Sequence, residues 1–182
     1  MGTIVVLNGV SSAGKSSLAK ALQEAADESF LIVAMDDFVG MVPAGRENDP
    51  TWFPVTRIDT ADGPLPRITM GPRGKLLLEA MREFVAKIAA SGMSAIVDEV
   101  CEAEAISDYR RRTSDARLVL IKVEAPIAVT EQRERERGDR LIGLARDQAG
   151  FLHVGIDYDM TVDTSTDTPA GLAREILARL AG

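Results

Sequence analysis

The feature that most constrains this chain is the octapeptide at residues 9–16, whose sequence is Gly-Val-Ser-Ser-Ala-Gly-Lys-Ser. It matches the pattern GxxxxGK[ST] at every specified position. An apolar run at residues 4–7 precedes it, and apolar residues at helical spacing follow it from Ser16. A strand, a glycine-bearing loop and a helix in this order are typical of a loop whose backbone amides bind phosphate. The alternative, a Gly/Ser turn that matches by chance, is disfavoured by both flanking patterns.

The residue types of this loop fit the binding of a polyphosphate. Gly9 and Gly14 allow backbone torsions and close approaches that a side chain would block. Lys15 places a positive charge at the β- and γ-phosphates, and Ser16 offers a hydroxyl to a magnesium ion. We therefore predict that the chain binds ATP and Mg²⁺. The predicted binding residues are Gly9, Ser11, Ser12, Ala13, Gly14, Lys15, Ser16 and Ser17.

Apolar runs and helical patterns alternate along the rest of the chain. The predicted strands cover residues 3–8, 31–35, 94–97, 117–123 and 160–163. The predicted helices cover residues 16–26, 72–90 and 126–137, with a last helix that begins at Thr168-Pro169. Continuous apolar runs fit strands that are covered on both faces. The pattern therefore predicts an α/β fold of three layers with a parallel five-stranded sheet, in one domain of residues 1–182.

Residues 37–71 differ from the rest because they carry five prolines and several glycines. Turn formers at this density argue against a regular helix. A loop of this length in a compact domain is usually functional or disordered. Trp52 and Phe53 would be poor residues to leave in water, so we predict that this segment covers the pocket of a phosphate acceptor. A mobile surface insertion is the alternative.

Pairs of acidic residues follow two of the predicted strands. Asp36 and Asp37 come after the second strand, and Asp98 and Glu99 come after the third. Ligands of open α/β sheets bind beyond the carboxyl ends of the strands, where the phosphate loop also lies. We predict that Asp98 holds the magnesium ion together with Ser16, and that Asp36 accepts the proton of an attacking hydroxyl. Asp37 is expected to cap a turn that starts at Phe38, and Glu99 to be a solvated acid, an acid that supports the site indirectly, or a direct participant.

Arginines cluster at the end of the third predicted helix. Arg133 and Arg137 are four residues apart and share a helix face, and Gly138 can turn the chain so that Arg140 converges with them. Phosphoryl transfer spreads negative charge over the γ-phosphate oxygens, which arginines on a closing segment neutralise. We predict a lid at about residues 126–150, with Arg133 and Arg137 catalytic and all three arginines binding the nucleotide. An exposed helix laced with Glu–Arg pairs is the alternative.

Composition excludes several other classes of function. A net charge of −7 and an aromatic content of 4% argue against a nucleic-acid binder and against an anionic-membrane binder. The lone Cys101 cannot form an internal disulfide, and the lone His153 has no partner at triad spacing. No run of about 18 apolar residues suggests a membrane span, and the start lacks a basic segment typical of a signal peptide. We expect a cytoplasmic protein.

Several ordered motifs resemble those of chloramphenicol phosphotransferase, a kinase family that confers antibiotic resistance, over nearly the full length. They are Leu7-Asn8-Gly9 with residues 11–16, Ile96-Val97-Asp98-Glu99-Val100, Arg137-Gly138-Asp139-Arg140, and Tyr158-Asp159 with Val162-Asp163-Thr164-Ser165. The resemblance implies a nucleotide-kinase-like P-loop core with strand order 2-3-1-4-5. It also implies ATP as donor and a small-molecule alcohol as acceptor. The family's general base falls on Asp36, in agreement with the choice made from position.

The acceptor is open at this stage. The segment around Trp52 and Phe53 does not resemble the family closely, and a second acid, Asp37, follows the predicted base. Chloramphenicol is the first candidate, and a nucleoside, a sugar acid or adenylylsulfate are alternatives. A nucleotide-dependent switch is an alternative of another class, although the absence of an NKxD motif disfavours a GTPase. A monomer and a homo-oligomer are equally compatible with the sequence.

Overall fold

The computed structural model of the chain describes residues 2–61 and 63–181. The strands are β1 Thr3–Asn8, β2 Phe30–Ala34, β3 Val55–Ile58, β4 Leu65–Ile68, β5 Ser94–Glu99, β6 Arg117–Glu124 and β7 Met160–Asp163. Five of them form a parallel sheet in the order β2-β5-β1-β6-β7, and β3 pairs with β4 in a separate antiparallel hairpin. Counted over the five predicted strands, the sheet order is 2-3-1-4-5, so the predicted sheet is confirmed.

The helices cover both faces of this sheet. They are α1 Lys15–Ala25, α2 Met35–Val39, α3 Pro72–Ala90, α4 Ala103–Arg112, α5 Ile127–Arg137, α6 Leu144–Ala149 and α7 Pro169–Ala181. Val5 and Leu7 of β1 pack into the core that holds α1 and α7, whereas Ile4 and Val6 pack into the core that holds α3 and α4. Because both faces are covered, positions 4–7 of the strand are all apolar, as the continuous run predicted.

All four predicted helices are present, as α1, α3, α5 and α7, but three further helices of the described residues were not predicted. Helices α2 and α6 were not predicted because they span only five and six residues. Helix α4 was not predicted because charged residues dominate its sequence. Helix α4 nevertheless buries Ile106 and Tyr109 against the sheet. Among the described residues, no helix has both the length and the apolar character needed to cross a membrane.

The segment predicted to cover the acceptor, residues 37–71, is more regular than predicted. It contains the end of α2 and the β3–β4 hairpin, so the expectation of a long irregular loop is wrong. Phe53 is buried in a small cluster with Val42 and Leu78, which fixes the segment on α3. The carbonyl oxygen of Thr51 accepts hydrogen bonds from the backbone N–H groups of Arg73 (2.8 Å) and Gly74 in the first turn of α3. The segment therefore provides partners for N–H groups that the start of a helix leaves free.

Candidate active site

The phosphate loop leaves β1 and enters α1 in a conformation that its glycines make possible. Gly14 has φ 97°, in the left-handed region where a side chain is strained. A Cβ atom on Gly9 would lie 2.1 Å from the carbonyl oxygen of Val123, so that position tolerates no side chain. Ser12 also adopts a positive φ, of 57°. The backbone conformation is therefore specific to this sequence pattern, as the motif predicted.

Lys15 is buried beneath the phosphate loop. Its Nζ atom donates hydrogen bonds to the carbonyl oxygens of Gly9 (2.8 Å) and Val10 (3.0 Å) and lies 4.0 Å from Oδ1 of Asp98. Burial lowers the pKa of the Lys15 ammonium, and the neighbouring Asp98 carboxylate partly offsets this effect. An additional anion bound at the loop would favour the charged lysine further.

The structure brings together the two residues predicted to bind magnesium. Oγ of Ser16 donates a hydrogen bond of 2.6 Å to Oδ2 of Asp98. The pairing of β1 with β5 sets Leu7 opposite Asp98, which places this carboxylate beside the loop that follows β1. Hydroxyl and carboxylate oxygens are ligands that Mg²⁺ prefers, so this donor pair fits the ion.

Asp36 lies in the first turn of α2, on the same cleft as the phosphate loop. Its side chain is 59% exposed, and its Oδ2 accepts a hydrogen bond of 2.7 Å from Nη2 of Arg140. The next residue, Asp37, does not cap a helix as expected, because α2 already begins at Met35 and Asp37 is its third residue. Asp36 is thus the acid of this pair that lines the cleft.

Glu99 differs sharply from its neighbour Asp98. It is 1% exposed, and its two carboxylate oxygens accept hydrogen bonds from Arg82 (2.8 Å) and from the Tyr109 hydroxyl (2.5 Å). Burial raises the pKa of Tyr109 well above its usual value, so the phenol remains a donor. The expectation of a solvated Glu99 is therefore wrong, because both of its oxygens have partners inside the protein.

The three predicted lid arginines do not converge on one point. Arg133 donates hydrogen bonds to the carbonyl oxygens of Ser12 (3.3 Å) and Thr164 (3.0 Å), and to Oγ1 of Thr164. It therefore ties α5 to the phosphate loop. Arg137 is about half exposed and lines the cleft, with its Nε 3.7 Å from Asp139. Arg140 contacts Asp36 on the other side of the cleft, although it too lines the cavity next to the phosphate loop.

Two residues at this site were missed by the sequence interpretation. Oγ1 of Thr164 donates a hydrogen bond of 2.7 Å to the carbonyl oxygen of Ala13. Oε1 of Gln148 accepts a hydrogen bond of 2.6 Å from the backbone N–H of Ser11. Both contacts join residues more than 130 positions apart, so no local pattern marked them. Thr164 does lie in one of the motifs on which the family resemblance was based.

The model of the chloramphenicol phosphotransferase-like family matches residues 2–181. The chain belongs to this family. A Mycobacterium tuberculosis (strain H37Rv) protein, Rv2636, which is provisionally named an O-phosphotransferase, is 33% identical over 183 residues. The alignment covers 96% of this chain and 80% of that protein. The family resemblance inferred from the motifs is confirmed, as is the enzyme class of a small-molecule O-phosphotransferase.

Several solved structures with the same fold are kinases. The Mycobacterium tuberculosis APS kinase CysC, in complex with AMPPNP and APS, superposes with a TM-score of 0.69 at 18% identity, covering 100% of this chain and 98% of that one. A gluconokinase from Sinorhizobium meliloti 1021 gives a TM-score of 0.68 at 22% identity, covering 99% and 91%. A shikimate kinase from Acinetobacter baumannii gives a TM-score of 0.60 at 13% identity, covering 100% and 93%. The predicted P-loop kinase fold is confirmed.

Proposed function

We propose that this protein transfers the γ-phosphoryl group of ATP to the hydroxyl of a small-molecule alcohol, with Asp36 as the general base. One observation carries the proposal. The Asp36 carboxylate and the phosphate loop line the same cleft, together with Lys15 and the Ser16–Asp98 pair. A phosphoryl donor and a proton acceptor are the two groups that transfer to an alcohol requires.

The donor end of the cleft fits a nucleotide triphosphate. Backbone N–H groups of the loop and the start of α1 favour an anion, and Lys15 supplies a positive charge beside them. Oγ of Ser12 is buried and has no hydrogen-bond partner among the described residues, which supports a polar ligand at this point. Ser16 and Asp98 would hold Mg²⁺, whose charge would help to neutralise the phosphate oxygens. Arg137, which lines the same cavity, would bind the transferred group.

The acceptor end of the cleft lies at Asp36. In the proposed reaction Asp36 takes the proton of the acceptor hydroxyl, and the hydroxyl oxygen attacks the γ-phosphorus. The bond between the γ-phosphorus and the bridging β-phosphate oxygen breaks. ADP and a phosphate monoester result. Arg140 holds the Asp36 carboxylate at 2.7 Å, and this contact orients the base and keeps a positive charge near the transferred group. Arg133 would act through the loop backbone that it holds.

Apolar side chains at the acceptor end favour an alcohol with an apolar body. Met35, Ile68, Val100 and Leu144 line the same cleft as Asp36. Chloramphenicol is an aromatic amide alcohol and has such an apolar body. We therefore propose first that the protein phosphorylates chloramphenicol and thereby confers antibiotic resistance. An anionic acceptor, such as a sugar acid or adenylylsulfate, is the second. It is favoured by Arg140, a cationic side chain that lines the cleft beside Asp36.

The test is mass spectrometry of candidate alcohols after incubation with the protein and Mg-ATP. Chloramphenicol comes first, followed by gluconate, adenylylsulfate and nucleosides. We expect one phosphorylated product that is absent when Asp36→Asn replaces the wild-type protein. ATP hydrolysis without any phosphorylated alcohol would instead support a nucleotide-dependent switch. Expression in the cytoplasm of a chloramphenicol-sensitive bacterium, with growth measured against drug concentration, tests the resistance role.

A further inference from the structure

The short helix α6 is a junction between the hairpin and the rest of the site. Arg67 of β4 donates from Nη2 to Oδ1 of Asp147 at 2.5 Å and from Nε to both carboxylate oxygens at 3.1 Å. The Asp147 side chain is only 2% exposed. A bidentate pair with a buried carboxylate fixes orientation as well as distance. The ion pair therefore fixes the position and orientation of the hairpin relative to α6.

The next residue of α6 reaches the phosphate loop. Oε1 of Gln148 accepts a hydrogen bond of 2.6 Å from the backbone N–H of Ser11, and the Gln148 side chain lines the cleft. Gln148 is 9% exposed, so water competes weakly for this contact. The conformation of the loop at Ser11 thus depends on where α6 lies.

A third contact fixes the start of α6 on α5. The fully buried carboxylate of Glu134 in α5 accepts hydrogen bonds from the N–H groups of Gly143 (2.8 Å) and Ala145 (2.9 Å). The Leu65 side chain of β4 packs so closely here that a Cβ atom on Gly143 would lie 3.0 Å from it. The position of α6 therefore depends on both the hairpin and α5.

The two faces of β4 make different contacts, one with the cleft and the other with α6. Ile68 lines the cleft, whereas the preceding residue, Arg67, contacts α6. Successive side chains of a strand point to opposite faces, so one strand can touch an acceptor and α6 at the same time. A displacement of Ile68 by an acceptor would therefore reach α6 through the Arg67–Asp147 ion pair.

We propose that Arg67, Asp147 and Gln148 form a positioning chain through which the β3–β4 hairpin sets the affinity of the phosphate loop for nucleotide. The inference rests on the proposed function only in taking ATP as the ligand of the loop. None of the three residues is assigned to the chemistry. By linkage, an acceptor that steadies the hairpin strengthens nucleotide binding, and nucleotide strengthens acceptor binding equally. A merely structural role would instead change stability and leave nucleotide affinity unchanged.

The experiment measures the Kd of AMPPNP with Mg²⁺ by calorimetry, with thermal unfolding recorded in parallel. We expect Arg67→Met and Gln148→Leu each to weaken binding by about 5- to 10-fold, at the low end of typical couplings. The double variant R67M/Q148L should be no weaker than Gln148→Leu alone, because both changes interrupt one chain. Arg112→Met is the matched control, since Arg112 forms a similar two-oxygen contact with Asp108 in α4. Its AMPPNP affinity should equal that of the wild type.

A second variant protects the test against misfolding. Arg67→Met leaves the buried Asp147 carboxylate unpaired, so R67M/D147L removes both charges and should show the same loss of affinity in a folded protein. Wild-type affinity in R67M/D147L, or additive losses in R67M/Q148L, would overturn the inference. Failure of the wild-type protein to bind AMPPNP would overturn the proposed function, which is a separate result.

Discussion

The two ends of the cleft are built in different ways. The donor end consists mainly of residues 9–17, which follow one another from the end of β1 into the first turn of α1. The acceptor end is assembled from α2, β4 and α6, whose contributing residues Asp36, Ile68 and Leu144 are far apart in the sequence. The solved kinases that share this fold at 13–22% identity carry the names of different acceptors. A local donor end and a dispersed acceptor end are what a fold that varies its acceptor would require.

The sharpest way to separate the two ends is to disable the acceptor end alone. Asp36→Asn keeps the shape of the side chain but removes the proton acceptor. We expect kcat to fall by about 10²- to 10⁴-fold, the usual contribution of a general base, with the Kd of AMPPNP unchanged. Asp37→Asn is the matched control, since Asp37 is also exposed and lies on the same short helix. Transfer at the wild-type rate by Asp36→Asn would remove this residue from the mechanism.

The two adjacent acids at the end of β5 offer a second test. Asp98 contacts the donor end, whereas Glu99 is enclosed by Arg82 and Tyr109. Arg82→Met should destabilise the fold by about 3–5 kcal/mol, because it leaves a buried carboxylate without its charged partner. Urea unfolding followed by circular dichroism measures this loss. The variant R82M/E99L should recover much of it, and a single variant as stable as the wild type would contradict the assigned role of the pair.

The donor end was predictable from sequence because its determinants are local. The glycine pattern, the preceding strand and the following helix all lie within residues 3–25, and the structure places them as the motif predicted. The hairpin was missed for a physical reason. Pro66 lies inside β4, where proline normally argues against a strand, and the exposed hairpin needs little apolar alternation.

The remaining misses concern contacts between distant residues. The Arg110–Arg112 run dominates α4, whose buried face is revealed only when Ile106 and Tyr109 meet the sheet. Arg140 was expected beside the other lid arginines, but its ion pair joins it to a residue 104 positions away. Long-range pairings of this kind depend on the folded topology, and a single sequence carries no local signal for them.

Phosphate binding at the donor end can be weakened by truncating one side chain. Lys15→Ala removes the positive charge that contacts the carbonyl oxygens of the loop. We expect kcat to fall by about 10²- to 10³-fold, comparable with the loss of one electrostatic contact in a transition state, and the Kd of AMPPNP to rise as well. This combined effect distinguishes it from Asp36→Asn. Lys20→Ala, on the exposed side of α1, should change neither quantity, and an unchanged AMPPNP affinity in Lys15→Ala would argue against phosphate contact by Lys15.

The smallest expected effect tests whether the donor end depends on its helix neighbours. Thr168 caps α7, because its Oγ1 accepts a hydrogen bond of 3.1 Å from the N–H of Gly171, and α7 packs on α1 directly behind the phosphate loop. Thr168→Ala should lower the free energy of unfolding by about 1 kcal/mol, the usual cost of losing such a cap. Urea unfolding measures the change, with Ser114→Ala in an exposed turn as the control. Because the α1–α7 contact is apolar and Thr168 itself does not line the cavities beside the phosphate loop, kcat should stay at the wild-type value. A drop in kcat without a drop in stability would mean that the donor end draws on α7 for more than packing.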